Sequence, residues 1–138
     1  MNIGDTEKRA ITAWIIQGIN GDAVNFAETF GKYLCDIQDN RLGRMAMTTS
    51  QIRNVFGEVK RIQAKGYEEE KPSFFLLRPK IAYAEARVKA KSGKSRIEDF
   101  RKVIECAHLA VSEEKHFQNF VDFFEAILAY HKAAGGRD

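Results

Sequence analysis

The sequence is poor in the residues that mark most secreted proteins and most enzymes. Its 138 residues include two cysteines, Cys35 and Cys106, with no Cys-x-x-Cys spacing. Such usage supports neither a disulfide framework nor a zinc site, and the expected setting is a reducing cytoplasm. No apolar run approaches the roughly 20 residues of a membrane span, and no signal-peptide pattern opens the chain, so no membrane partner is expected. A glycine-rich phosphate loop, an activated serine or cysteine constellation and a close carboxylate pair are all missing. So are internal repeats and low-complexity segments. Two prolines leave long stretches free to be helical.

What is present is helical spacing. A chain of this length fits one domain (residues 1–138) with a real core, and the pattern predicts an all-α fold, a compact bundle of five to six helices. A first helix is expected over residues 5 to 19, with Ile11, Trp14, Ile15 and Gly18 on one side. Asp22 is placed to cap a second, striped by Ala27, Phe30, Leu34 and Ile37. The best-specified start is the third. Thr48 and Gln51 form a capping box, Met47 and Ile52 a hydrophobic staple, and Ile52, Val55, Phe56, Val59 and Ile62 one apolar stripe ending at Gly66. Residues 67 to 71 read as an exposed acidic loop. From Phe74 a seam of Phe74, Leu77, Ile81, Ala84 and Val88 predicts a fourth helix, beginning near Arg78 or kinked at Pro79. Ser95 with Glu98 is a capping box for a fifth, and Ser112 a cap for a sixth. Phe123 and Tyr130 fall off the stripe of that last helix, as exposed apolar residues or a subunit contact.

Charge is unevenly placed. Residues 1–40 hold three basic side chains against six acids, and residues 103–138 repeat that ratio. Between them, residues 41–66 hold six bases against Glu58, and residues 78–102 nine against three. A basic centre between acidic ends predicts one positive face, whose natural partner is a polyanion. Arg41 and Arg44 lie in a glycine-containing stretch that reads either as a contact loop or as a solvated connector. Arg53 and Lys60, seven residues apart, share an edge of the third helix, with Gly57 leaving the backbone bare nearby. Lys80, Tyr83, Arg87, Lys91 and Lys94 fall within an arc of roughly 80° on the next helix. Such cations can follow phosphates, and the tyrosine can stack on a base or sugar.

Two patterns suggest chemistry. Glu105-x-x-His108 and Glu113-x-x-His116 match the ligand spacing of di-iron bundles, which need the two motifs on facing helices with two further glutamates, yet here they are eight residues apart and the second straddles an expected helix start. No metal and no cofactor are therefore expected. Arg101 and His108 resemble the arginine–histidine pair of HEPN-type ribonucleases, in which the histidine does acid–base work on the scissile phosphate. The gap here is at or beyond the long end of that pattern, and His108 borders the apolar seam, where a packed histidine is the usual finding. This ribonuclease reading stands as the alternative, with a protein-only interaction adaptor as a third.

Two central blocks carry a stronger likeness. Thr48-Thr49-Ser50-Gln51-Ile52-Arg53 and Leu77-Arg78-Pro79-Lys80-Ile81-Ala82-Tyr83 resemble the signatures of the Csm small subunit of type III-A CRISPR effector complexes. The resemblance implies a helical, non-catalytic protein present in several copies along the inside of an antiviral ribonucleoprotein. There it would contact the guide RNA–target RNA duplex, mainly through backbone, and touch neighbouring copies and subunits. Arg53 and Lys80 carry over as basic contacts; Lys60, Arg78, Arg87, Lys91 and Lys94 are added by helix geometry. The first forty residues and the Glu68-Glu69-Glu70 loop match no motif of that family.

Overall fold

The computed structural model describes residues 1–35, 46–93 and 95–136. Among these it forms seven helical segments and no strand. The first helix, α1 (Asp5–Gln17), opens at Gly4, whose N–H donates to Glu7 Oε1 at 2.7 Å. It stops before residue 19 because Gly18 takes φ +126°. Asn20, not Asp22, caps α2 (Gly21–Cys35): its Oδ1 accepts the Ala23 N–H at 3.0 Å, while Asp22 already lies inside the first turn.

The third helix, α3 (Thr49–Lys65), has the expected reciprocal cap. Gln51 donates its N–H to Thr48 Oγ1 at 3.1 Å, and Thr48 donates its own to Gln51 Oε1 at 2.9 Å. Met47 and Ile52 on either side of that cap are both buried.

The seam from Phe74 is not one helix. It divides into a five-residue turn, α4 (Lys71–Phe75), and α5 (Leu77–Ser92), with Pro79 in the first turn of α5. A continuous helix would need an N–H from Pro79 to the Phe75 carbonyl, and the proline ring would collide with that oxygen. The expected acidic loop is also less open than its composition suggests. Tyr67 is buried, stacked on Phe117 and edge-on to Phe74.

Two later caps differ from expectation. For α6 (Ile97–Leu109), Ser95 Oγ accepts the Ile97 N–H at 3.2 Å, but Glu98 turns away to pair with Lys89, so no capping box closes. The last helix, α7 (Glu114–Ala133), begins after Ser112, whose own N–H goes to His116 Nδ1 at 3.2 Å.

The core is built on α7, which packs against α1, α2, α3 and α6. Its phenylalanines serve two aromatic groups. Phe123 is buried against Trp14 and Phe26, joining α1 and α2; it is a core residue, not the exposed one its off-stripe position predicted. The stripe missed it because α7 is covered on more than one side, so its apolar arc is wide. Tyr130 is partly buried against the same core. Phe117 and Phe120 meet Phe74 edge-on, and Phe120 also meets His108. At the other side of the bundle the Arg96 guanidinium lies 4.2 Å from the Tyr33 ring and donates to the Tyr33 carbonyl, while the Tyr33 hydroxyl donates to Asp99 at 2.5 Å. These contacts hold α2 to α6.

Candidate nucleic-acid interface

α3 and α5 run beside each other, tied by Glu58 to Lys80 at 3.6 Å, and a cleft of about 260 Å³ opens between them. Its α3 wall carries Gln51 and Asn54, and its α5 wall Arg87 and Lys91. Val55, Ala84, Val88 and Ile97 supply an apolar lining. Tyr83 stands at the α5 side, 66% exposed, with the Arg87 guanidinium 5.9 Å from its ring centre. Lys80, Tyr83, Arg87 and Lys91 are therefore on one edge of α5, as the spacing predicts, and that edge overlooks the cleft.

The cations differ in what they meet. Glu58 is shared between Arg61 and Lys80, and the Arg61 hydrogen bonds hold its carboxyl below the usual range. On the other flank of α5, Lys89 pairs with Glu85 and Glu98, and Arg101 with Glu85 and Glu105. Arg87 and Lys91 have no carboxylate partner among the described residues. Their charge is left for something outside the chain.

Other expected residues are elsewhere. Arg78 is exposed but about 160° round α5 from Lys80, toward α6. Arg53 and Lys60 are exposed on the outward side of α3, and Lys60 leans over Phe56, which packs on Phe124 of α7. Glu58, facing α5, is about 140° round α3 from Arg53. The Arg53–Lys60 edge and the α5 stripe thus lie on different flanks of α3 and do not form one continuous strip. Near that edge Gly57 is open, with nothing within 4 Å of an added Cβ. Arg41, Arg44 and Lys94 lie outside the described residues.

Gln51, Asn54 and the apolar lining of the cleft were not picked out as site residues from sequence. Gln51 and Asn54 are three apart and so share a flank, but that this flank faces α5 is a tertiary fact with no local signal.

Arg101 and His108 are not presented as a catalytic pair. His108 is 3% exposed, stacks on Phe74 with ring centres 4.0 Å apart, and donates from Nε2 to the Phe74 carbonyl at 2.6 Å. Burial holds its pKa below the ordinary histidine value. Arg101 is occupied by two glutamates. No group of three or more metal-ligating side chains is gathered among the described residues, and His116 serves the Ser112 amide. No described helix is long and apolar enough to cross a membrane.

Residues 22–137 match the family model described as Csm2 Type III-A. The chain belongs to the Csm2 family. It is thus a small subunit of the type III-A CRISPR complex, a protein that works among other subunits. The Csm2 match begins at α2, earlier than the two signature blocks alone, and leaves α1 outside although Ile11 and Ile15 of α1 are fully buried. No curated protein and no solved structure matches the chain.

Proposed function

We propose that this subunit contacts the guide RNA–target RNA duplex through the α3–α5 edge, without catalysing a reaction, as part of antiviral interference. The observation that carries the reading is the pair Arg87 and Lys91. They are exposed, lack a carboxylate partner among the described residues, and follow an exposed tyrosine along α5 beside a cleft. Lys80, Lys89 and Arg101 are each held by glutamates, whereas Arg87 and Lys91 keep their charge beside the cleft. Contacts of this kind follow phosphates of an A-form duplex without reading sequence.

One copy neutralises few phosphates and binds weakly. Several copies aligned on one RNA gain affinity through effective concentration. Arg53, Lys60 and Arg78 lie on other flanks, where they serve a second stretch of RNA or a neighbouring subunit.

The test is fluorescence anisotropy of the purified protein on labelled duplex RNA across a salt series. Replacing Arg87 and Lys91 together by alanine should weaken binding and reduce the slope of log affinity against log salt by about 1 to 2. An unchanged slope in that double variant, with Arg53→Ala/Lys60→Ala losing it instead, would move the interface to the outward side of α3. The ribonuclease alternative requires RNA cleavage that His108→Ala abolishes, yet this ring is buried and committed to a backbone carbonyl.

A further inference from the structure

We infer that the α3–α5 cleft receives one unpaired nucleobase, extruded from the bound RNA while its phosphate rests on Arg87 and Lys91. The inference rests on the groove reading above and adds what the groove takes in. Phosphate contacts alone require cations on a rim, because a duplex is convex and offers nothing to fill a cavity. Here the rim cations stand over a recess with an apolar lining and two carboxamides on the opposite wall. That combination suits a flat heteroaromatic ring with a hydrogen-bonding edge.

Size supports the same occupant. About 260 Å³ lies just below the ~300–1,000 Å³ of pockets for drug-sized ligands, so the guest is one small ring system. The carboxamides are also disposed to read it. Gln51 Oε1 is consumed by the Thr48 N–H, which leaves its Nε2 hydrogens to be donated elsewhere. Asn54 makes no side-chain hydrogen bond among the described residues and is exposed, so its oxygen and both hydrogens are available. Val55, Ala84 and Val88 offer the ring faces an apolar contact. Tyr83, exposed beside Arg87, supplies a surface for a neighbouring nucleotide. Removing a base from a paired stack costs a few kcal/mol, so the cleft selects a strand in which that nucleotide is already unpaired.

The experiment uses the full chain and three RNA duplexes of equal length: fully paired, with a single 2-aminopurine bulge, and with an abasic bulge at the same place. The bulged base should raise affinity about tenfold over both others, the scale of one base stacked on protein. Its fluorescence should increase as it leaves its neighbours. Ala84→Leu, which fills the lining, and Asn54→Leu, at an exposed position that cannot unfold the helix, should each erase the preference. Equal affinity for all three RNAs overturns the base pocket and leaves the groove reading standing. Equal gain from the abasic bulge also overturns it, because bending alone then explains the effect. Absence of binding to every RNA overturns both.

Discussion

Gly31 sits where α2 presses on the backbone of α7. A Cβ there would lie 2.8 Å from the His131 backbone nitrogen and 2.9 Å from the Ile127 carbonyl oxygen. Neither atom belongs to a flexible side chain, so Gly31→Ala must push the helices apart. The expected cost is about 1–3 kcal/mol, measured as a lowered urea midpoint. His131 itself is fully buried and donates from Nε2 to the Met47 carbonyl at 2.7 Å, as His108 does to Phe74. Burial lowers both pKa values, opposed in each by the backbone hydrogen bond. Both rings are therefore neutral in the fold, while the unfolded chain takes up protons near pH 6.5. Their contribution to stability is complete above that value and is lost as pH falls toward the folded pKa values. Denaturation between pH 7.5 and 5 should show stability falling at up to about 1.4 kcal/mol per pH unit for each histidine. A His108→Gln/His131→Gln variant should show a shallower decline. The packing of His108 was legible from its place beside the apolar seam, but a histidine there does not announce which carbonyl it will meet.

The elements were more readable than their ends. The Thr48–Gln51 box depends on a fixed three-residue spacing within one turn, so its sequence and structure agree. Thr48→Ala should cost about 1 kcal/mol in thermal unfolding, because the Gln51 N–H loses the Thr48 Oγ1 acceptor. The cap at Ser95 was misread because Glu98 had a rival partner, Lys89, on a different helix. Local rules cannot weigh such a competitor. The split between α4 and α5 was legible in Pro79, although the seam through Phe74 concealed it by continuing with helical spacing across the break.

At the scale of the whole molecule, composition and spacing sufficed for an all-α bundle because each helix carries its own periodic face. The candidate interface was only half legible. Lys80, Tyr83, Arg87 and Lys91 share one helix, so their alignment is local; the wall opposite them depends on how α3 and α5 pair. Charge totals by segment hid the decisive difference between cations held by glutamates and cations left over. The central position of α7 has a consequence for biosynthesis. It is the last of the described helices to leave the ribosome, yet α1, α2, α3 and α6 all pack against it. At about 5–20 residues per second, its 20 residues take roughly 1–4 s to make, and during that time the faces awaiting them are bare. A nascent chain arrested at Ser112 should be cut readily by a protease that spares the released protein, and equal resistance of the two would show that the earlier helices assemble alone.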